Sequence, residues 1–339
     1  MKRLLPFLPL LLLAALLLFP SSAIAGGKQG VTIWWGHVLP ALLPSFLCVK
    51  LAQELGLLQA TYRHPKGRLA AVIGFSLVSG APNGAKLLRV LEQEGGLSPR
   101  DSRRLLPFVN SVSPAFLLSI IASELLENKA LFLPMAAAFY GCILGFLVMA
   151  LPEKASRTRS APAVDTKRAT FSEALSTAIE NGMLDMLRIG GCILLACTLL
   201  SVSRSILPME TAYAALAGFM EVSTGVSVLA DLSLSLRLKA SLMVGCAAFG
   251  GLSLGLQTLC CYPGLRFLPY LLKKLLFGVL VGVVCYLLFP LFPNVASAFA
   301  SRQAALYRTL SLSAVLLSSA LSLSFMGLLS LMIGSSKGD

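Results

Sequence analysis

Gly74-Phe-Ser-Leu-Val-Ser79-Gly80-Ala81-Pro82-Asn83-Gly84-Ala85-Lys86-Leu-Leu88 decides how this chain folds. Led in by Leu69 to Ile73, it starts as an apolar segment of the kind found in membrane helices. It then breaks, with Ser79, Gly80, Pro82, Asn83 and Gly84 crowded together. Pro removes a backbone donor and Gly loosens the chain, so a smooth helix ends there. Inside lipid, freed N–H and C=O groups persist only when buried in protein or facing a wet cavity. The stretch therefore reads as a broken or re-entrant element that presents backbone polar groups to something polar, closed by Lys86.

The composition agrees with a membrane setting. Of 339 residues, 56% are hydrophobic and 13% are charged, against about 25% charged in soluble domains. Several segments approach the ~20 apolar residues that span a bilayer, which predicts an all-α polytopic membrane protein with about eight spanning helices. The alternating strands of a membrane β-barrel are not seen. The net charge of +13 lies mostly between apolar segments. There it sets orientation and meets anionic headgroups, so the lipid bilayer is the expected partner and nucleic acid is not. The eight cysteines sit in apolar stretches without a C-x-x-C pair, and His37 and His64 are far apart. They read as packing residues, and neither a metal site nor a cofactor is expected.

Going outward from the broken stretch, residues 1–25 form a Leu-rich N-terminal membrane helix. With Ala23-Ile24-Ala25 before Gly26, they also have the form of a secretory signal. The first membrane repeat is expected over residues 31–152. Its opening span begins at Trp34 and Trp35 and carries Pro40 and Pro44. Basic residues flank 69–88 on both sides, so that segment should enter and return on the cytoplasmic side. Ser98-Pro99-Arg100-Asp101 is a helix start. A second interruption follows at Asn110-Ser111-Val112-Ser113-Pro114. Either it kinks a single helix, or Asn110, Ser111 and Ser113 join the first break in a site. Residues 153–170 are a polar, basic linker that reads as cytoplasmic. Thr170-Phe-Ser-Glu173 matches a capping box and opens an amphipathic entry helix over 171–186, punctuated by Glu173, Glu180, Asp185 and Arg188, that reads as lying on the cytoplasmic face.

The second membrane repeat is expected over 171–292, and residues 306–334 form a C-terminal membrane helix. Within the second repeat, Gly250-Gly251-Leu-Ser253-Leu-Gly255-Leu-Gln257 marks another Gly-broken segment. Paired interrupted segments in two halves point to a binding site at the repeat interface. Orientation stays open at this stage. Inverted repeats would place Arg237, Lys239, Arg266, Lys273 and Lys274 outside, whereas the excess of basic residues on the cytoplasmic side favours parallel ones.

Two enzyme-like matches do not hold. Gly251-Leu-Ser253-Leu-Gly255 has the spacing of a nucleophile elbow, but it lies in a membrane segment with no base in reach. Gly80 to Lys86 lacks the Ser or Thr that a phosphate-binding loop needs after its Lys. The chain is not expected to be an enzyme. Glu221 carries more weight, because an acid within a membrane segment is costly and marks function by default. It is either an interfacial residue at a helix end bonding to Ser223 or Thr224, or it coordinates a cation, a proton or a polar ligand with the two broken segments. Lys86 either reaches the headgroups or counters an anionic solute or Glu221. The substrate-binding candidates are Ser79, Gly80, Asn83, Gly84, Lys86, Asn110, Ser111, Ser113, Glu221, Ser253 and Gln257.

Ser79 to Lys86, Asn110 to Pro114, Glu221-Val-Ser-Thr-Gly225 and Gly250 to Gln257, in that order, resemble the YlbJ family of sporulation integral membrane proteins, within the nucleoside-recognition or Gate domain group. The resemblance covers roughly residues 5–292. It implies a role in endospore formation, a multi-pass cell-membrane location and a plan similar to nucleoside transporters. Family members usually carry Tyr where this chain has Ala81, and often His near Gly255. Those departures weaken the transfer of a nucleoside substrate. A transporter or gated permease for a small polar solute, with a coupling ion, is the expectation. The alternative is a non-transporting scaffold or sensor that holds sporulation membrane proteins.

Overall fold

Helices break where their backbone groups can be satisfied elsewhere, and those breaks organise this molecule. The computed structural model describes residues 7–56, 65–150, 170–205 and 210–292. The linker at 153–169, the basic loop around His64 and the expected C-terminal helix at 306–334 lie outside the described residues. Every regular element among the described residues is helical. Among the described residues, five helical segments are long and apolar enough to cross a membrane: Pro20–Glu54, Lys129–Val148, Phe171–Arg204, Leu236–Cys261 and Phe267–Leu291. Shorter apolar helices add to them, and the protein is a multi-pass membrane protein.

The first half begins with α1 (Leu8–Leu18), which stops at Phe19. Helix α2 (Pro20–Glu54) runs through residue 25 without interruption and widens into a π-helical stretch at Ile33–Val38. Helices α3 (Pro65–Ser79) and α4 (Asn83–Gln93) follow and pack on each other. Arg68, at the start of α3, pairs with Glu94, just past the end of α4. The two therefore form a hairpin whose tip is Gly80-Ala81-Pro82, as the break and the flanking charges predict. Helix α5 (Pro99–Val109) is capped by the Ser98 hydroxyl, which accepts from the Asp101 N–H. It breaks at Asn110 to Ser113 and resumes as α6 (Phe116–Leu125), and α7 (Phe132–Ala150) completes the half.

The second half repeats this order. Helix α8 (Phe171–Arg204) starts on the Thr170–Glu173 capping box. The amphipathic segment read at 171–186 is the first part of this single helix. Helices α9 (Glu210–Met220) and α10 (Val222–Asp231) pack together as a second hairpin. Gly218 and Gly225 meet across it so closely that a Cβ on Gly225 would lie 2.5 Å from the Gly218 Cα. Helices α11 (Leu236–Phe249) and α12 (Gly251–Cys261) form a broken helix bent at Gly250, and α13 (Phe267–Leu288) returns beside α11. That last pairing is close because Gly245, Gly278 and Gly282 let the backbones approach.

The counterpart of the 65–93 hairpin is therefore 210–231, not the Gly-broken 236–261 segment that the sequence offered as its match. One left-handed pair of glycines bends α11 into α12 without reversing it. At Glu221 the chain turns back, since Gly218 and Gly225 leave room for two arms.

The two halves are inverted. Helices α2 and α8 run antiparallel: Ser22 meets Ser205 at 2.9 Å, and Trp34 Nε1 donates to the Met186 carbonyl at 3.0 Å. Each of these helices leads into its own hairpin, so the hairpins enter from opposite ends and their tips meet in the middle. The charge conflict is also smaller than the sequence suggested. The Tyr262 hydroxyl donates to Glu92 and lies 3.0 Å from the Ser102 hydroxyl, which places the α12–α13 turn at the end where the first hairpin enters. Arg266 and Lys273 accompany it there. Arg237, whose Nε donates to the Tyr286 carbonyl, stays at the other end.

Candidate functional site

Four interruptions converge on one narrow cavity. It is lined by Ser79, Gly80 and Ala81 from the first hairpin tip, and by Val112 and Ser113 from the α5–α6 break. Glu221, Val222 and Ser223 come from the second hairpin tip, and Ser253, Leu254 and Gln257 from α12. Val38, Leu42, Phe46, Phe116 and Ile189 supply an apolar wall. Its volume is about 50 Å³. One water needs roughly 10–15 Å³ of such space, so this form of the cavity suits a few waters or a small ion.

Each tip is seated on the break of its own half. In the first, Gly80 has φ +74°, and a Cβ there would come within 2.8 Å of the Ser113 nitrogen. Only Gly combines that conformation with that approach. The Ala81 N–H donates to the Ser111 carbonyl at 2.8 Å, and the Ala85 N–H to Asn110 Oδ1 at 3.1 Å. In the second, a Cβ on Gly251 would press within 3.1 Å of the Glu221 backbone. Glu221 is extended, at φ −152° and ψ 133°, and starts α10 by accepting from the Thr224 N–H at 2.7 Å and the Thr224 hydroxyl at 3.0 Å. Its side chain thus caps a helix, as one reading of Glu221 expects, and the residue also lines the cavity. It is buried, not interfacial. No basic side chain among the described residues pairs with it.

Six of the sequence candidates line the cavity: Ser79, Gly80, Ser113, Glu221, Ser253 and Gln257. Gln257 Nε2 reaches the Ser253 hydroxyl at 3.4 Å, while its buried Oε1 has no hydrogen-bond partner among the described residues. The other five lie behind the cavity wall. Gly84 packs against the Val109 carbonyl, and Asn83 is buried beneath the tip. Asn110 ties three elements together, since its Nδ2 also donates to Thr258 Oγ1 at 2.7 Å. Ser111 Oγ receives a hydrogen bond from Lys274 at 3.2 Å. These residues hold the first tip in place.

Lys86 reaches neither the headgroups nor Glu221. Its Nζ lies 2.6 Å from Asp185 on α8, a residue only 1% exposed. Lys50 from α2 reaches the other oxygen of that carboxylate at 3.2 Å, and Arg188 approaches at 3.1 Å. One acid thus holds three cations from three elements and ties the first hairpin to the opposite half. The sequence singled out Lys86 but assigned Asp185 only to an amphipathic surface helix. An acid in a long apolar helix was the available signal. A further polar tie joins His37 on α2 to Glu124 at the end of α6.

No family model matches the chain, and no solved structure matches it. The sporulation integral membrane protein YlbJ of Bacillus subtilis (strain 168) is 27% identical over 331 residues, covering 82% of this chain and 80% of that protein. That similarity supports, for this chain, the family of sporulation integral membrane proteins to which its motif order pointed.

Proposed function

We infer that this chain is a membrane protein of endospore formation that passes a small polar solute through the cavity where its broken helices meet. The observation that carries this reading is the convergence of two oppositely entering hairpin tips and two helix breaks on one polar-floored cavity containing Glu221. Inverted repeats with discontinuous helices at their interface are the usual construction of alternating-access transporters. The unpaired Gln257 Oε1 supports a ligand or water carrying a hydrogen-bond donor. The sporulation role rests on the name of the Bacillus subtilis relative. A nucleoside-like solute would need the tips to move apart, because the cavity in this form is about 50 Å³.

That small volume favours a second reading, a scaffold or sensor of the sporulation machinery that transports nothing. Uptake into proteoliposomes separates the two, with nucleosides, nucleobases and small ions tested in turn and Glu221→Gln as control. Uptake that is lost in folded Glu221→Gln supports transport through this cavity. Absence of flux for every solute, with Glu221→Gln still supporting spore formation, leaves the scaffold.

A further inference from the structure

Lys274 is a basic residue of α13 that neither the cavity nor the Asp185 cluster uses. It is only 1% exposed, and no carboxylate among the described residues forms an ion pair with it. Its Nζ donates to the Asn110 carbonyl at 3.4 Å and to Ser111 Oγ at 3.2 Å, with the Phe277 ring centre 5.7 Å away. Both oxygens belong to the first break. Asn110 is the C-cap of α5, at φ −90° and ψ 73°.

Three properties make this spot attractive to a cation. It is the negative end of a helix dipole. It offers a carbonyl and a hydroxyl oxygen released by unwinding. And in broken-helix membrane proteins, half-helix C-termini with unwound carbonyls are where Na⁺ or H⁺ is commonly coordinated. The oxygens are also held in place, since the Asn110 side chain is bonded to Ala85 N and to Thr258 Oγ1. Helix α7, in the same place in the first half, carries no charged residue. A basic side chain at this place is therefore particular to the first break.

We propose that the Lys274 ammonium is a built-in cation, seated on the Asn110 and Ser111 oxygens in the place of a bound Na⁺ or K⁺, so that this break holds its shape without a metal ion. The inference concerns the break itself and stands whether or not a solute crosses the cavity. It assigns Lys274 a positioning role, since the residue fixes the break that carries Ser113 and seats the first tip.

The test is thermal unfolding of the purified full chain in detergent, in NaCl, KCl and choline chloride at equal ionic strength. The wild type should unfold at the same Tm in all three. Lys274→Ala should have a lower Tm in choline and regain stability saturably with Na⁺ or K⁺, by about 3 °C at ten times the dissociation constant. Lys274→Met fills the space without charge and should stay destabilised in every salt. An Ala variant equally unstable in all three salts overturns the proposal. Should Lys274→Ala fail to fold, the wild type decides. A saturable gain with Na⁺ or K⁺ that Ser111→Ala abolishes overturns the proposal, and equal Tm values in the three salts support it.

Discussion

The two hairpins do the same job with different residues. The first turns through Gly80-Ala81-Pro82, without charge, and its N–H groups donate to the Ser111 carbonyl and the Asn110 side chain. The second turns at Glu221, whose carboxylate starts the returning helix, and is seated against Gly251. The first is also held at its returning arm by Lys86 and Asp185, whereas Glu221 meets Thr224, whose Oγ1 in turn lies 3.1 Å from Cys197 Sγ. A chain reversal inside a membrane thus needs only that freed backbone groups find partners. Gly and Pro with an opposing break satisfy that need in one half, and one capping acid satisfies it in the other. The second solution buries an acidic side chain, which lines the cavity on one side.

This contrast is open to direct attack, and the largest effect should come from its electrostatic half. Asp185→Ala strands Lys50 and Lys86 partly buried without their acid, and is expected to destabilise by about 3–5 kcal/mol. Chemical denaturation in micelles reads this out. The double variant with Lys86→Met should recover part of the loss, and full additivity would show that the two residues do not cooperate. Next comes the tip itself. Gly80→Ala combines a left-handed conformation with a clash against Ser113 and should cost about 2–4 kcal/mol. Size-exclusion profile and Tm measure it, and a wild-type Tm would break the account of how the first tip is seated.

Asn110→Ala leaves the Ala85 N–H and Thr258 hydroxyl without their buried partner, at about 1–3 kcal/mol. If Thr258→Val removes most of that loss, the tie to α12 carries it. If not, the tie to the hairpin does. The smallest stability effect belongs to Glu221→Gln, below about 1 kcal/mol, because the amide oxygen still accepts from the Thr224 N–H at the N-cap. Its effect on uptake should be the greatest of the four, and that separation of stability from function is what distinguishes the second tip from the first.

How much of this was legible depended on the range of the signal. The first hairpin was readable because Gly, Pro and Asn stand together and basic residues flank them, all within one short window. The second was harder. Glu221 was noticed as a costly acid, yet nothing local says that the chain reverses there, since the reversal depends on Gly218 and Gly225 meeting across the arms. The Gly250-Gly251 pair looked like the stronger break and was matched to the wrong partner for the same reason. A left-handed glycine announces a bend, and only packing decides whether the bend becomes a reversal.

By itself the sequence determined that this is a helical, multi-pass membrane protein, where its helices are interrupted, and that Glu221 sits among those interruptions. Hydropathy and backbone chemistry act over a few residues and need no knowledge of neighbours. Tertiary structure alone decided that the halves are inverted, that Lys86 belongs to Asp185, and that Asn110 supports the cavity from behind. It also decided that Lys274 rests on the first break. Each of those facts is a contact between residues far apart in the chain, and in a low-dielectric interior a polar group's role is set by whichever distant partner satisfies it.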